Sequence, residues 1–296
     1  MTAETIGTAI AIGAVVGILP GLFGVGGGFL MVPLLHVFAG VPINLAVGSC
    51  ACQSLGSVTT GMLHRRSGGD LFYHLSWAML PGTILGLELG IRFLEWTKTS
   101  TAVWQFVGRD LPMMETTQLL CYLGIMLVLA GVTALETHFS RDEQDHSRVG
   151  LFERAPVPPR PQFPEIDGRR ASLPLLTLLA VTVGFLNGGF GMGGALLLVP
   201  SLVFLVGLST HRAVAVTLVS SFLSGFISVA SHAVCGNIDL PLVCWLLLGG
   251  TVGARFGSQL AMKLTGRKLR RYFAWVILAS TSIIVWRLYK MIVAAD

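Results

Sequence analysis

The sequence predicts an all-α polytopic membrane protein made of two inverted copies of one glycine-rich unit, with about ten membrane segments that include short or broken helices. Three observations lead to this class: an apolar composition, an internal duplication, and opposite charge in equivalent loops. Of the 296 residues, 53% are hydrophobic and 12% are charged, and the mean hydropathy is +0.74. A soluble domain carries about 25% charged residues, so we expect lipid to surround most of this chain.

Long apolar runs recur along the chain and account for the predicted helices. Several approach the roughly 20 residues that cross a bilayer as a helix, and backbone groups in lipid must be hydrogen-bonded within the protein. A β-barrel would show segments of about 10 residues that alternate in polarity, whereas these runs are apolar on every face. The runs are residues 6–19, 71–94, 119–135, 173–186, 238–262 and 273–289.

The two halves of the chain repeat one another. The segment GILPGLFGVGGGFLMVPLL from Gly17 aligns without a gap with GFLNGGFGMGGALLLVPSL from Gly184, an offset of 167 residues. The same offset holds further along, which indicates that the whole half-protein is duplicated. The matching pairs are Phe23/Phe190, Gly24/Gly191, Gly26/Gly193, Gly27/Gly194, Leu30/Leu197, Val32/Val199, Pro33/Pro200, Gly40/Gly207, Ser54/Ser221, Ser57/Ser224, Gly82/Gly249, Gly86/Gly253 and Gly90/Gly257.

A polar segment at residues 136–172 joins the repeats. It contains APVPPRPQFP from Ala155 together with mixed charges, a composition typical of an aqueous, largely disordered linker. The sequence therefore divides into a first membrane repeat at 1–135, a cytoplasmic linker at 136–172 and a second membrane repeat at 173–296. Another connection, residues 95–115, carries Trp96, Trp104 and Phe106, which favours a position at the membrane surface.

Equivalent loops of the two repeats carry opposite charge. The loop HRRSGG holds Arg65 and Arg66, whereas its counterpart SHAVCGN has no Lys or Arg. Conversely, residues 263–271 are strongly basic, while their counterpart 95–115 mixes acidic and basic residues. Because positive charge marks the cytoplasmic side, the two copies are predicted to face opposite ways, as inverted repeats of secondary transporters do.

Inverted copies need an odd number of membrane crossings each. Three are clear in the first copy, at residues 44–64, 71–94 and 116–135. The stretch 6–39 is interrupted at GLFGVGGG and must cross twice, as a pair of short helices, or not at all, as a re-entrant hairpin. We favour the pair, which gives five segments per half in a multi-pass protein of the inner membrane with both termini outside.

The glycine-rich interruptions are the first candidate binding elements. Glycine exposes backbone N–H groups, and a helix that starts just beyond such a loop adds its positive N-terminal end. Two loops that converge near the midplane would bind a small anion. The alternative is that the glycines serve close helix packing. We favour packing for small residues spaced four apart, such as Gly82, Gly86 and Gly90. The candidate glycines are Gly24, Gly26, Gly27 and Gly28 in the first copy and Gly191, Gly193 and Gly194 in the second.

Hydroxyl and amide residues form a stripe on the segment that follows each loop. Spacings of three and four place them on one helical face. Such a stripe can hydrogen-bond an anion, or it can hold helices together at about 0.6 kcal/mol per bond, and the sequence favours neither. The residues are Ser49, Gln53, Ser54 and Ser57 in the first copy and Thr217, Ser220, Ser221 and Ser224 in the second.

Charged and polar residues near segment ends or inside apolar runs are candidates for gating. Asn44 and His211 begin equivalent segments, and Arg212 adds a charge there; helix capping would suit these residues equally well. Glu88 and Arg255 lie at equivalent positions inside apolar runs, where charged residues are functional candidates. An ion pair within the helix or a snorkelling side chain is the structural alternative.

The duplicated segments GLFGVGGGFLMVPLL and GGFGMGGALLLVPSL resemble the signature of the TauE/SafE sulfite exporter family of membrane permeases. The glycine-rich loop, the proline nine residues past its first glycine and the duplication occur together, and the resemblance covers nearly the whole chain. It implies transport of small anions such as sulfite or organosulfonates. The second loop departs from the first at Ala195, which stands opposite Gly28, so a shared site would be asymmetric there.

These features predict a secondary transporter whose halves rock for alternating access. The expected partners are a small anionic substrate, the lipid bilayer and a coupling proton or other ion, for which His36 is a relay candidate unless it is simply packed. No cofactor and no nucleic acid are expected. An anion channel and a transporter of small carboxylates are the alternatives. An enzyme is not expected because H-E-x-x-H, G-x-S-x-G and paired aspartates in the apolar runs are absent.

Overall fold

A computed structural model describes residues 3–23, 28–66, 73–99, 103–106, 109–139, 152, 157–168, 170–192, 195–261 and 266–293. Ten α-helices are present in these ranges, five before the linker and five after it. The helices are α1 Ala3–Phe23, α2 Gly28–Ala39, α3 Ile43–Arg66, α4 His74–Thr99, α5 Met113–Phe139, α6 Leu173–Phe190, α7 Ala195–Ser201, α8 Thr210–Val234, α9 Leu240–Ala261 and α10 Gly266–Val293. The predicted helical class is confirmed.

Five stretches within the described ranges are long and apolar enough, by length and composition, to cross a membrane. Shorter apolar helices lie at Gly7–Leu19, in α2 and at Leu197–Val206, where α7 continues into a turn of π-helix, Leu202–Val206. Helices α1 and α2 flank the first glycine-rich segment, and α6 and α7 flank the second. Glycine gives no side chain to pack and has a low propensity to continue a helix. The five long stretches are His74–Thr99, Met113–Gly131, Leu173–Phe190, Arg212–Val234 and Leu240–Gly257.

Helices α1 and α9 pack through their glycines. A Cβ atom at Gly13 would lie 2.7 Å from the carbonyl oxygen of Leu246, and one at Gly253 would collide with the carbonyl oxygen of Ala14. Residue numbers increase in the same direction along both helices from one contact to the next, so α1 and α9 run parallel. Small residues four apart let two backbones approach closely in lipid, and packing is confirmed as the role of these glycines.

Helices α4 and α6 pack in the same manner. A Cβ atom at Gly82 would lie 2.8 Å from the carbonyl oxygen of Thr177, and one at Gly86 would collide with that of Val181. An offset of 167 residues converts the Gly86–Val181 contact into the Gly253–Ala14 contact between α9 and α1. Each half therefore packs its first helix against the fourth helix of the other half.

Helices α3 and α8 pack against each other in antiparallel directions. The start of α3 touches the residue just beyond the end of α8, because a Cβ at Gly48 would collide with the backbone of Asn237. Further along α3, Leu55 lies against Gly225, and Val58 packs with Val214 near the start of α8. The contacts thus move backward along α8 as they move forward along α3.

The second part of the linker is folded onto the helices. Pro164–Ile166 forms a 3-10 turn, and a β-bridge joins Gln162 to Arg170. Phe163 and Ile166 are buried in a cluster that includes Leu75 at the start of α4. The prediction of disorder is wrong for the described residues 157–168 and 170–172, because these apolar side chains bury enough surface to order the proline-rich chain around them.

The connection at residues 95–115 holds a small sheet. Helix α4 continues to Thr99, and two antiparallel strands follow, β1 Val103–Phe106 and β2 Arg109–Pro112. Trp96 on the last turns of α4 is 56% exposed. The position of the connection 95–115 at a membrane surface stays a prediction.

Candidate functional site

The described edges of the two glycine-rich segments meet at the start of α2. Helix α6 ends where Gly191 adopts a left-handed conformation (φ 64°) and donates its N–H to the Asn187 carbonyl at 2.9 Å. A Cβ at Gly28 would collide with the Gly191 carbonyl oxygen and would lie 3.0 Å from the sulfur of Cys50. Five predicted loop glycines lie outside the described residues: Gly24, Gly26, Gly27, Gly193 and Gly194.

The carbonyl groups at the end of α6 are satisfied by side chains of other helices. Gln118 of α5 donates to the Gly189 carbonyl at 3.3 Å, and the Tyr122 hydroxyl donates to the next carbonyl, that of Phe190. The Cys50 thiol of α3 donates to the Gly191 carbonyl at 3.3 Å. Because the last carbonyls of a helix have no partner within it, these donors fix α6 to α3 and α5.

This arrangement modifies the predicted anion site. The positive N-terminal end of α2 begins at Gly28, and a carbonyl oxygen from the negative C-terminal end of α6 already faces that residue. Opposite ends of helix dipoles attract each other. The Gly191 carbonyl therefore lies at the helix end that the sequence analysis assigned to an anion, and anion binding there stays a prediction.

The predicted stripe on α3 is buried and is mostly engaged in protein contacts. Ser49 is fully buried and accepts the backbone N–H of Asp239 at 3.4 Å. The Ser54 hydroxyl lies 4.0 Å from the Cys50 sulfur. Gln53 differs: it is fully buried, yet neither its amide oxygen nor its amide nitrogen has a hydrogen-bond partner among the described residues.

The predicted stripe on α8 is equally buried but less engaged. Thr217, Ser220 and Ser224 are each at most 3% exposed, and Ser221 is half-buried. The Ser224 hydroxyl reaches the Ser221 carbonyl at 3.5 Å, whereas the Thr217 hydroxyl has no partner in the part of the chain that the structure describes. Leaving a buried polar group unpaired costs about 1–3 kcal/mol. Gln53 and Thr217 are the predicted site residues that carry this cost within the described part of the chain, and their role as ligand-binding residues stays a prediction.

The polar stripe on α8 continues to residues that sequence reasoning missed. Ser228 is 1% exposed and His232 is 0% exposed. The serine hydroxyl and both ring nitrogens of the histidine lack a hydrogen bond of ordinary geometry to any described residue. The spacing 224, 228, 232 was the available signal, since residues four apart share a helical face. The α8 polar line is defined here as Thr217, Ser220, Ser224, Ser228 and His232.

Asn44, a predicted gating residue, belongs to a network around the buried Asn237. The Asn44 amide donates to the Asn237 side-chain oxygen at 3.2 Å, and the Lys98 ammonium donates to the same oxygen at 3.2 Å. The Asn237 amide donates to the Glu95 carboxylate at 2.6 Å. This network joins the start of α3, the end of α4 and the loop between α8 and α9, and it closes that end of the helices with polar contacts.

Arg212, the second predicted gating residue, lies at the other end of α8. Its guanidinium pairs with Asp167 at 2.7 Å and donates to the carbonyl of Glu165 at 3.0 Å. Glu165 is 1% exposed and accepts the backbone N–H of Leu75 at 3.2 Å. Arg212 therefore fastens the linker to the starts of α8 and α4. His211 begins α8 beside it, and its side chain is outside the described part.

Residues 9–283 match the family model described as Sulfite exporter TauE/SafE. The chain belongs to the TauE/SafE family. The resemblance read from the duplicated glycine-rich segments is confirmed. Membership makes the chain a protein of a membrane transporter family, which agrees with its several apolar helices.

Relatives match over most of the chain. A probable membrane transporter protein of Xylella fastidiosa strain Temecula1 is 25% identical over 99% of this chain and 100% of its own length. The probable membrane transporter protein YjnA of Bacillus subtilis is 25% identical over 92% of this chain and 96% of its own. A probable membrane transporter protein of Methanocaldococcus jannaschii is 23% identical over 88% of each. No solved structure matches the chain.

Two predicted intramembrane charges of this TauE/SafE protein lie on the outer surface of the helices. Glu88 is half-buried and accepts a hydrogen bond from Arg92 at 3.1 Å, one turn further along α4. Arg255 lies on an exposed face of α9. The structure does not bring either residue to Gln53 or Thr217.

His36 is part of a charged cluster. Its Nε2 atom lies 2.7 Å from Glu115 Oε1, and the Arg287 guanidinium donates to the same carboxylate oxygen at 2.7 Å. The His36 Nδ1 atom lies 3.0 Å from the Val41 carbonyl. This cluster joins α2, α5 and α10, so His36 is packed and hydrogen-bonded. Within the described ranges, no group of three or more His, Cys, Asp or Glu residues could hold a metal ion.

Proposed function

We propose that this protein is a secondary transporter of small anions, sulfite or organosulfonates in the first place, and that it works by alternating access across the inner membrane. One observation carries the proposal: α3 and α8, the equivalent helices of the two halves, cross each other and hold buried polar groups with open hydrogen-bonding capacity, at Gln53 and Thr217. Such unpaired groups in a transporter are accounted for by a polar ligand.

Helix directions support inverted repeats. Copies related by an axis in the membrane plane must present equivalent helices in opposite directions, whereas copies of one orientation would present them in the same direction. The antiparallel contacts of α3 with α8 agree with the first arrangement. The parallel pairs α1 with α9 and α4 with α6 agree as well, because they unite helices of unlike position in the two halves.

Hydroxyl, thiol and amide donors suit a small anion that must leave again. The Gln53 amide and the Thr217 hydroxyl can each donate to an anionic oxygen, and such charge-assisted bonds contribute about 1.5–3 kcal/mol each. The backbone N–H groups of Gly26, Gly27, Gly193 and Gly194 complete the site in this proposal. A permanent positive charge in the site would hold the anion more tightly and would slow its release.

Polar contacts at the two ends of α8 supply the gates. We assign the Asn44–Asn237 network to the outer gate and the Arg212–Asp167 ion pair to the cytoplasmic gate. The linker lies beside Arg212, and both termini belong to the opposite end of the helices. The basic residues at 65–66 and 267–271 are at the Arg212 end, which agrees with a cytoplasmic position for it.

Purified full-length protein in liposomes tests the proposal. Uptake of labelled sulfite, methanesulfonate and acetate should saturate with concentration for the sulfur anions, and internal unlabelled anion should accelerate it by counterflow. A larger flux of acetate would assign the protein to carboxylates. Non-saturating flux with large unitary currents and no counterflow would identify an anion channel and would contradict the proposal of a carrier.

A further inference from the structure

His232 stands out among the bases of this protein. Of the His, Lys and Arg side chains that the structure describes, only that of His232 is fully buried, at 0% exposed. Neither ring nitrogen has a hydrogen bond of ordinary geometry to a described residue. An imidazole that is buried without partners loses the hydrogen bonds that water would give it, so such a residue needs an explanation.

The charged neighbours of His232 are paired with other groups. Helix α4 contributes Glu95 and Lys98, which pair with each other at 3.4 Å, and Glu95 also accepts the amide of Asn237. The thiol of Cys235 and the carboxylate of Asp239 follow along the chain. Helix α6 brings the backbone of Gly188 within hydrogen-bonding reach of the ring. Neither Glu95 nor Asp239 is hydrogen-bonded to the ring in the described part of the chain.

The α8 polar line connects His232 to the proposed anion site. Ser228 lies one turn before the histidine, is 1% exposed and also lacks a partner among the described residues. Ser224 and Thr217 continue the line toward the other end of α8. Thr217 lies about 16 Å beyond Ser228, so Ser228 is a separate position on the path of the anion. An anion that hydrogen-bonds to the Ser228 hydroxyl would therefore sit one helical turn from the imidazole.

An anion on this line needs a positive charge. The other fully buried polar side chains of the described ranges are neutral, apart from Glu165 in the linker. Moving an unpaired anion from water into such surroundings is very costly. A proton on the adjacent imidazole would remove most of that cost, and the anion would in turn stabilise the imidazolium. Each ligand thus favours the binding of the other, which is the requirement for coupling.

We propose that His232 is the binding site of the coupling proton, carried together with the anion. The proposal rests on the transport function proposed above. In the empty carrier the imidazole is neutral. A proton from the entry side binds to the lone pair of a ring nitrogen when an anion reaches Ser228, and it returns to water when the anion leaves on the other side. The first repeat has Arg65 at the equivalent position, so only the second repeat offers a titratable group here.

Full-length protein in liposomes that contain a pH-sensitive dye tests this role. Methanesulfonate is the probe because its charge does not change with pH. We expect an inward proton gradient to drive its accumulation, with protons entering alongside the anion and with little response to an imposed membrane potential. The His232→Gln variant keeps a hydrogen-bond donor but cannot titrate, so it should lose proton entry and uphill accumulation, and its counterflow should weaken because the anion then lacks the imidazolium charge.

Controls separate the alternatives. His74→Gln changes an exposed histidine, 72% accessible, which lies 3.4 Å from Glu165 and outside the α8 polar line, and proton-driven accumulation should persist in this variant. His232→Asn repeats the test if the glutamine variant does not fold. Proton-driven accumulation by a variant that lacks His232, or wild-type exchange of methanesulfonate without proton movement, would overturn the proton site while leaving the carrier intact. A wild-type protein that moves no anion would instead overturn the transport function itself.

Discussion

Helices α3 and α8 occupy equivalent positions in the two halves, yet their buried polar groups are used differently. On α3, Ser49 and Cys50 are bound to backbone groups of the second half. On α8, the hydroxyls of Thr217 and Ser228 have no partner in the described part of the chain. Only some polar positions recur in both copies: Thr217 stands opposite Cys50, whereas Ser49 stands opposite Val216 and Ser228 stands opposite Gly61. We expect α3 to act mainly as support and α8 to contact the ligand.

The largest expected effect comes from breaking the support that α3 and α6 give to α2. Gly28→Val would place a side chain against the Gly191 carbonyl and the Cys50 sulfur. Overpacking of this kind costs about 1–3 kcal/mol or more, so we expect a clear fall in melting temperature together with loss of flux. Gly124→Val is the matched control, because nothing lies within 4 Å of a Cβ there. Equal melting temperatures for both variants would contradict the contact.

The second prediction compares a variant on α8 directly with a variant on α3. Thr217→Val removes a hydroxyl that bonds to no described residue, so we expect unchanged stability and a roughly tenfold fall in flux, the loss of one bond to a charged ligand. Cys50→Ala removes the bond to Gly191 and should lower the unfolding free energy by about 1 kcal/mol. Melting temperatures and initial rates in liposomes measure both. A destabilised Thr217 variant with normal flux would reverse the assignment.

Gln53 is the exception on α3 and sharpens the comparison further. Gln53→Leu replaces an amide that lacks partners with an apolar group of similar size, so no native hydrogen bond within the described structure is lost. We expect stability to be maintained or slightly raised and flux to fall roughly tenfold, as for Thr217→Val, equivalent to about 1.5 kcal/mol of lost binding. If the melting temperature falls clearly instead, the amide serves the protein and not the anion.

The smallest effect is expected at Ser49. Its hydroxyl accepts one long bond, 3.4 Å, from the N–H of Asp239. Ser49→Ala should therefore cost about 0.5–1 kcal/mol of stability and leave the transport rate unchanged, because Ser49 acts as support. A large loss of flux at normal stability would place this serine with the ligand-binding residues and would weaken the contrast between α3 and α8.

Sequence reasoning found those features that the two halves share. The offset of 167 residues singled out the packing glycines and the stripes at Gln53 and Thr217, because equivalent chemistry recurs at equivalent positions. It passed over residues whose counterparts differ. His232 stands opposite Arg65, and Glu95 stands opposite Met262, so neither appears in a comparison of repeats. Their roles depend on neighbours from other helices, which only the folded arrangement supplies.

The linker was misjudged for another reason. Its proline and charge content predicted disorder, yet buried side chains that include Phe163 and Ile166 pack the described part against a cluster with Leu75. Average composition does not register a few apolar residues placed at the right spacing. The ion pair of Arg212 with Asp167 then adds a polar fastening, so that a predicted spacer becomes part of one end of the protein.

The exchange of partners between the halves has a consequence for biogenesis. Helix α1 finds its glycine-packed neighbour, α9, only after nearly all of the chain has been synthesised and inserted. Until then the Gly13 and Gly17 face of α1 has lipid in place of a complementary backbone. The first half alone would thus enter the bilayer without the helix that packs against α1. We therefore expect separately expressed halves to be recovered intact only when both are made together.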